Sequence, residues 1–439
     1  MHWSARAAAT ISSTASAPLS STAAAATAGT SPAFAFDSCH PWDHVFVDVC
    51  LRHVIRHASR DELHLDLRFA LRRDDFCQKQ DGGCRKKRNY SESDDEDEFS
   101  GPRRGYRLPR RIFDSCVALR TLCVSYCYLN VPESESIHLP HVETMRLTGW
   151  SDTGRAIQRL ISACPRLADL TLEDSRKIRN LSVLDKRPRR FALRCCPNVK
   201  SIAIDATELT TLAYSGAVLA ESVISLRGGA PILSSCSVDI CSPILSAEEI
   251  ANLGRFLAMF TGTKHLHIKS ARMGSSMESK HFAADTLLPA FTSLTSLQLT
   301  GRLPKIGVAN AVRRILEQTP NLERLTLLLM PAVKVVNYGY SRYPREVDED
   351  EKRQEQDEDE SRFSAIGCLR HRVTTINLVQ YNGEEEVQRM LVWLLLTNAH
   401  VLERLCVEMP VNIEGQLLAK HKNDIEGWMV RKLAQVTFT

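Results

Sequence analysis

The stretch SACPRLADLTL, residues 162–172, contains the pattern that decides the fold of this chain. It spaces its leucines as an apolar residue, two others, an apolar residue, one other and a last apolar residue, at Leu167, Leu170 and Leu172. Thr171 stands between the last two leucines, and such alternation is typical of a strand with one buried face. The proline before the first leucine favours a turn, so the stretch predicts a short strand that is entered from a turn.

The same template recurs along most of the chain. Further full matches are Leu119/Leu122/Val124, Val142/Met145/Leu147, Val199/Ile202/Ile204, Leu209/Leu212/Tyr214, Leu294/Leu297/Leu299, Leu322/Leu325/Leu327, Val373/Ile376/Leu378 and Leu402/Leu405/Val407. Weaker matches, with a polar first residue, are Thr263/Leu266/Ile268 and Ser235/Val238/Ile240. A pattern that returns so often predicts a repeat architecture.

A helical pattern precedes several templates, as at Ile157, Leu160 and Ile161. Between helix and strand stands a small residue, three positions before the template. These small residues are Cys116, Cys164, Cys196, Thr319 and Ala399. We expect each to be buried where a helix ends in a turn. Because one helix–strand coil cannot bury its apolar face alone, stacked coils should supply the core.

Stacked coils predict an α/β fold, an irregular leucine-rich-repeat solenoid (horseshoe) with parallel strands on its concave face. It is irregular because successive templates lie about 10 to about 50 residues apart, against 20 to 29 in regular leucine-rich repeats. The residue between the last two apolar positions should point outward, where a partner can reach it. The partner-binding residues predicted in this way are Arg146, Thr171, His267, Gln298, Thr326 and Asn377.

Composition divides the chain into segments. We expect a low-complexity, disordered Ala/Ser/Thr tail at 1–37, a first repeat-like helix–strand unit at 38–77, a charged disordered insert at 78–107, the solenoid at 108–335, an acidic disordered linker at 336–364, C-terminal repeats at 365–410 and a C-terminal extension at 411–439. The net charge of +4 hides acidic runs at 92–98 and 346–360. The rest is basic, and attracts either an acidic partner or these acidic loops.

The location of the protein follows from weaker signals. The longest apolar run near the C-terminus, Met390–Leu396, is far shorter than the ~18 residues of a membrane helix, so no membrane partner is expected. The run Arg85–Arg88 is compatible with nuclear import or with a solvated basic segment. We expect a cytoplasmic or nuclear protein, or both. The Ser-rich tail with Arg6 leaves an organelle transit peptide as a second interpretation.

Sequence motifs for chemistry are absent: there is no GxxxxGK[ST], HExxH or GxSxG. The 14 cysteines form no CxxC pair, so we expect reduced thiols and no metal. His265 and His267 flank Leu266 and should share its opposite face, without a third metal ligand. We therefore expect no enzyme activity and no cofactor. Nucleic acid is not favoured as a partner, because no stripe of aromatic and basic residues is present.

The residues resemble the plant F-box/leucine-rich-repeat proteins that carry a C-terminal FBD domain. The likeness rests on LPRRIFDSCVALRTL (108–122), CPRLADLTL (164–172) and LTTLAYSG (209–216). Residues 368–383, CLRHRVTTINLVQYNG, resemble the opening of an FBD domain, and LLTNAHVLERL (395–405) resembles its close. The resemblance implies an FBD-like unit at 365–410. It also implies a protein-interaction module, the substrate-recognition part of a cullin-RING (SCF-type) ubiquitin ligase.

The F-box of this family, a helical motif that opens with a Leu-Pro pair, holds the ligase adaptor. Its place is taken here by the Ala/Ser/Thr tail, and the pair Leu108-Pro109 runs into a repeat strand. We expect an unidentified substrate protein as partner, and the cullin-RING adaptor only if a longer product supplies an F-box. The alternative is a ligase-independent scaffold or a truncated regulatory protein that binds the same partners.

Overall fold

The computed structural model describes residues 22–25, 33–38, 44–57, 62–69, 106–114, 116–133, 137–220, 223–228, 233–241, 247–270, 288–302, 308–330, 366–410 and 415–439. The chain forms two compact units. Unit 1 consists of Met1–Ala217 and Ser222–Ile232, and unit 2 of Val218–Glu221 and Leu233–Thr439. The acidic runs and the basic run Arg85–Arg88 lie outside the described residues.

Unit 1 is built of short strands with few helices. Its helices are α1 (His44–His57), α2 (Arg111–Asp114) and α3 (Gly154–Ser162). Its strands are β1 (Thr22–Ala25), β2 (Ala33–Ser38), β3 (Leu63–Phe69), β4 (Leu119–Ser125), β5 (Thr144–Thr148), β6 (Asp169–Glu173), β7 (Asn180–Val183), β8 (Arg190–Arg194), β9 (Ser201–Asp205), β10 (Thr211–Gly216) and β11 (Ile224–Arg227). The main sheet has the order β1-β2-β3-β4-β5-β6-β8-β10, parallel except for the β1–β2 pair.

A second, three-stranded parallel sheet of unit 1 has the order β11-β9-β7. Between β6 and β11 the chain alternates between the two sheets, so each coil there consists of two strands. Strand β9, which contains Ile202 and Ile204, lies in this second sheet, and β8 takes the place in the main sheet. Our assignment of Val199/Ile202/Ile204 to a main-sheet strand is therefore wrong. Ile202 and Ile204 are fully buried on the second sheet, because the template's alternation suits a half-buried strand in either sheet.

Unit 2 alternates helices and strands more regularly. Its strands are β12 (Ser235–Ile240), β13 (His265–Ser270), β14 (Ser296–Arg302), β15 (Arg324–Met330), β16 (Thr375–Val379), β17 (Arg404–Val407) and β18 (Gln435–Phe438). Its helices are α4 (Ala247–Ala258), α5 (Val308–Glu317), α6 (Gly367–His371), α7 (Glu386–Asn398) and α8 (Gly415–Trp428). The seven strands described in this unit are all parallel and follow each other in chain order. The predicted α/β leucine-rich-repeat fold with parallel strands is therefore confirmed.

The core of each unit is made by the template residues. Leu167, Leu170 and Leu172 expose 2% or less, and the template around Leu325 is equally buried. Where a helix leads into the strand, the turn closes as predicted: the Leu167 amide donates to the Cys164 carbonyl over 3.3 Å, and Cys164 is fully buried. The same turn precedes β4 and β15, where the Leu119 and Leu322 amides donate to the Cys116 and Thr319 carbonyls over 3.2 Å, and it fixes which face of the strand is buried.

Two further assignments need correction. The template of β12 is Leu233, Cys236 and Val238, all buried, and not the triplet that begins at Ser235, because Cys236 pairs with Leu266. Cys196, expected to be a buried small residue after a helix, is half-buried and follows β8. A Cys-Pro pair indicates a turn, and a turn can follow either a helix or a strand. The pair therefore does not show which of the two comes before it.

The N-terminal tail also departs from the expectation of disorder through residue 37. Strand β2 pairs in parallel with β3, and Phe34 on β2 is 4% exposed. Strand β2 alternates alanine and phenylalanine, so one of its faces is apolar and can be buried. The overall composition of the tail does not reveal this face, because most of the surrounding residues are small. The charged insert ends earlier than predicted, because Tyr106 is buried and its hydroxyl donates to Asp48 over 2.7 Å.

Of the helices that the structure describes, none is both long enough and apolar enough to span a bilayer.

Candidate functional site

The candidate site is the outward face of each main sheet, opposite the template residues. Strand register aligns the outward residue of each template into a central row. The row of unit 1 contains Asp66, Cys123, Arg146, Thr171, Ala192 and Ala213. The row of unit 2 contains Ser237, His267, Gln298, Thr326, Asn377, Cys406 and Thr437.

All six predicted partner-binding residues lie in these rows. In unit 1, Arg146 and Thr171 are neighbours on β5 and β6. In unit 2, the other four are consecutive: His267, Gln298, Thr326 and Asn377 on β13 to β16. Since adjacent strands are about 4.8 Å apart, these four side chains are brought within about 15 Å.

Opposite charges are paired on the outward face of unit 1. The Arg146 guanidinium lies 3.5 Å from the Glu173 carboxylate, and half of its side-chain surface remains exposed. Arg68 pairs with Asp66 at 2.7 Å, and Arg190 lies 3.6 Å from Asp169. Exposed pairs of this kind add little stability and can be rearranged by an incoming partner. This face is therefore polar with its charges largely balanced.

A histidine network occupies the first strands of unit 2. His267 Nε2 lies 2.9 Å from the Thr300 hydroxyl, and Nδ1 lies 3.4 Å from the Ser237 hydroxyl. Beside it, Lys269 Nζ donates to Asp239 over 3.1 Å. Burial lowers the pKa of His267 below its ordinary value of 6.5, Lys269 lowers it further and Asp239 opposes the shift. His267 is thus held neutral near pH 7, with both nitrogens satisfied by hydroxyls.

Neutral hydrogen-bonding groups continue the row of unit 2. The Asn377 amide donates to the Thr326 hydroxyl over 3.1 Å, and both side chains are half-buried on rigid strands. Gln298 lies between His267 and Thr326 in the row. Amides and hydroxyls both donate and accept, so the row can bond to peptide N–H and C=O groups alike. Such chemistry suits a polypeptide partner.

Sequence reasoning missed a feature at the ends of β4, β5 and β6. Tyr126, Gly149 and Asp174 all have positive φ angles, of 54°, 59° and 56°, where each strand turns away from the sheet. Gly149 carried the strongest sequence signal, because glycine favours that conformation. Asp174 carried a weaker one, since aspartate tolerates it, and Tyr126 carried none.

Several residues that the structure adds to the site also escaped prediction. Asp239, Lys269 and Thr300 lie two positions beyond the central row, in a second outward row. They were missed because the template defines only one outward residue per strand. Within the described residues, no group of three His, Cys, Asp or Glu side chains is placed to hold a metal ion.

Comparison with known proteins identifies the repeats. The family model of the leucine-rich repeats of the FBD-associated F-box protein At5g56370 matches residues 98–327. The chain belongs to this leucine-rich-repeat family. The FBD-associated F-box family model covers strands β4 to β14 and most of β15. Residues 365–410, which we assigned to an FBD-like unit, lie beyond the match, so that assignment stays a prediction.

A curated relative agrees with the FBD-associated F-box family. The F-box/LRR-repeat protein At4g14103 of Arabidopsis thaliana is 24% identical over 238 residues, which is 50% of this chain. The chain spans 59% of the length of that relative. This similarity points to the same class of protein as the family match.

Proposed function

We propose that the protein holds a substrate protein on the outward face of unit 2 and acts as the substrate-recognition part of a cullin-RING ubiquitin ligase. The observation that carries the proposal is the unbroken row of neutral polar side chains from His267 to Asn377. Parallel strands fix these groups in position, so binding costs little conformational entropy on this side of the interface. The ligase role rests on membership of an F-box-associated family and on the name of its curated relative.

The charges of the two central rows support a protein partner over nucleic acid. On unit 1 three outward arginines, Arg68, Arg146 and Arg190, each face a carboxylate. A fourth, Arg194, lies beside Glu173 in strand register. On unit 2 the central row carries no arginine or lysine. Nucleic acid binding depends on uncompensated positive charge, which neither row supplies.

Affinity capture with matched variants tests the proposal. The double variant Gln298→Arg/Asn377→Arg places bulky charges in the row of unit 2. The control Ala258→Arg/His371→Arg adds the same groups at exposed ends of α4 and α6. We expect a partner captured from plant extract, then purified, to bind wild type and control equally and the row variant at least about tenfold more weakly. Equal binding by both variants would show that the row is not the binding surface.

A further inference from the structure

The outward face of unit 2 carries two further rows of side chains beside its central row. An amino-terminal row lies two positions before the central row and contains His265, Ser296, Arg324, Thr375 and Arg404. The second outward row lies two positions beyond the central row, where Asp239, Lys269 and Thr300 are followed by Leu328 and Val379. Around β16 the first of these rows is basic and the other is apolar.

The basic part of the amino-terminal row consists of two arginines. Arg324 and Arg404 stand on either side of Thr375 in strand register, so their Cα atoms are about 10 Å apart. Both side chains are exposed, and among the described residues neither forms an ion pair. Glu323 and Glu403 precede them in the chain but do not pair with them. A carboxylate placed above Thr375 would therefore lie within reach of both guanidinium groups.

The apolar part of the second outward row consists of Leu328 and Val379. These residues are in register on β15 and β16, and both are half-buried. We call them the apolar pair. In unit 1 the equivalent residues are polar: Ser125, Thr148, Glu173 and Arg194. Apolar side chains framed by polar ones are typical of the centre of a protein interface, so the apolar pair suits an apolar side chain of the partner.

The separation of the two features matches an extended polypeptide. Arg324 and Leu328 are four residues apart on β15, which corresponds to about 13 Å. An extended segment that lies along the strands covers the same distance in four residues, and its residues i, i+2 and i+4 face the same side. Residue i would then face the two arginines, residue i+2 the central row and residue i+4 the apolar pair.

We propose that the substrate segment is extended and carries an acidic, a polar and an apolar residue at positions i, i+2 and i+4. The carboxylate pairs with Arg324 and Arg404, the polar side chain bonds to the central row, and the apolar side chain packs on the apolar pair. Two positive charges are too few to follow a nucleic-acid backbone, so the charges favour a polypeptide. This inference rests on the proposed function, because it names the class of substrate that the same face binds.

Labelled peptides test the spacing on the full chain. The probe TDTSTLT has aspartate and leucine four positions apart, and the control TTSDLTT has the same composition with the two residues adjacent. Adjacent residues of an extended chain face opposite sides, so only the probe can reach both features at once. We expect the wild type to bind the probe at least about fivefold more tightly than the control.

A charge exchange tests the arginines. Arg324→Glu/Arg404→Glu should weaken binding of TDTSTLT at least about tenfold, because like charges then meet. The same variant should bind TKTSTLT, which has lysine for aspartate, more tightly than the wild type does. Arg370→Glu/Arg372→Glu changes the net charge equally at exposed positions of α6 and of the residue after α6. This control should leave the binding of both peptides nearly unchanged.

Two further variants complete the test. Leu328→Asn should weaken binding of TDTSTLT about fivefold, since it removes half of the apolar pair. If Arg324→Glu/Arg404→Glu lowers the melting temperature, Arg324→Gln/Arg404→Gln removes the positive charges without adding negative ones and should still weaken binding of the probe.

Failure of this inference can be distinguished from failure of the proposed function. A purified partner that binds Arg324→Glu/Arg404→Glu as tightly as wild type, but is lost in Gln298→Arg/Asn377→Arg, would retain the binding face and overturn the inference. Equal binding of TDTSTLT and TTSDLTT, or no binding of TDTSTLT, would also overturn it. Self-association that Arg324→Glu/Arg404→Glu abolishes would assign the arginines to a second copy of the chain instead.

Discussion

The Tyr126 hydroxyl donates to Oδ2 of Asp174 over 3.3 Å, although two strand spacings separate the residues. Its ring passes over Gly149 on the strand between them, where a Cβ would lie 2.1 Å from Tyr126 Cδ1. Burial and the charge of Asp174 raise the pKa of Tyr126 to about 12, so the hydroxyl stays protonated as a donor. This bridge ties together the ends of β4, β5 and β6.

Replacing Gly149 should therefore weaken unit 1. In Gly149→Ala the new methyl collides with the Tyr126 ring, and the positive φ angle adds backbone strain. We expect a loss of about 1–3 kcal/mol in the free energy of unfolding, measured by chemical denaturation. Gly262→Ala, where nothing lies within 4 Å of the new Cβ, is the control and should change little. Equal stability of the two variants would show that the ring does not occupy this space.

The template core makes a second prediction. Leu325 is fully buried, and Leu325→Ala should cost about 2–5 kcal/mol because the cavity cannot collapse between stacked strands. Arg324→Ala, at the exposed neighbouring position, should stay within about 0.5 kcal/mol of wild type. Chemical denaturation of both variants measures the two changes in the free energy of unfolding. Equal changes would contradict the assignment of Leu325 to the buried face and Arg324 to the outward face.

The predictability of the fold follows from this distinction. The template at Leu325 predicts both a strand and which of its faces is buried, so the stack of parallel strands could be inferred from sequence. The second sheet could not, because Ile202 and Ile204 alternate in the same way as residues of the main sheet. The segment before β8 gave no clearer signal, because Ile178, Leu181 and Leu184 are spaced three apart, as in a helix.

The candidate site was also only partly predictable from the sequence. Thr326 and Asn377 could be predicted because the template fixes which residue points outward. The hydrogen bond between them, and the contact of His267 with Thr300, depend on which strands are neighbours and on their register. Neither contact can be predicted from local sequence, because inserts of any length can separate strands that are neighbours in the sheet.

Acid should destabilise unit 2 through His267. Its folded pKa is lowered below 6.5, so below about pH 6.5 the unfolded chain binds more protons than the folded one. Stability is therefore fully present above that value and is lost as the pH falls towards the folded pKa. We expect the free energy of unfolding to drop between about pH 7.5 and about pH 5.5.

The variant His267→Gln separates this contribution from the rest. The drop should become smaller in His267→Gln and remain in His371→Gln, which replaces an exposed histidine. Part of it should persist in both, because burial also lowers the pKa of His421. An unchanged drop in His267→Gln would mean that His267 is not the group that titrates.

The cysteines should differ in reactivity. Burial raises the pKa of Cys164 to about 12, although Lys186 opposes the shift. Its thiol should resist alkylation by iodoacetamide in the native protein, whereas the half-buried Cys406 on the outward face should react sooner. Peptide mass spectrometry after a short pulse measures both. Rapid labelling of Cys164 would show that the turn before β6 opens readily.

Adaptor binding tests whether the proposed substrate-recognition part needs a separate F-box to join the ligase. We expect residues 1–439 not to bind the cullin-RING adaptor tightly, and a version with an F-box grafted before Asp43 to bind it. The graft supplies an apolar helical surface, which the Ala/Ser/Thr tail does not. If the ungrafted chain retains adaptor at micromolar concentration, Phe46→Asp locates the contact, because Val45, Phe46 and Val49 are exposed on α1.

The measurement that tests the central claim most directly is site-specific photo-crosslinking to the purified partner. A photoreactive phenylalanine at Gln298 lies in the middle of the row of unit 2, and one at Ala258 lies at the exposed end of α4. The account predicts a crosslink to the partner from position 298 and none from position 258. A crosslink from position 258 alone would contradict it and would move the binding surface to the helices.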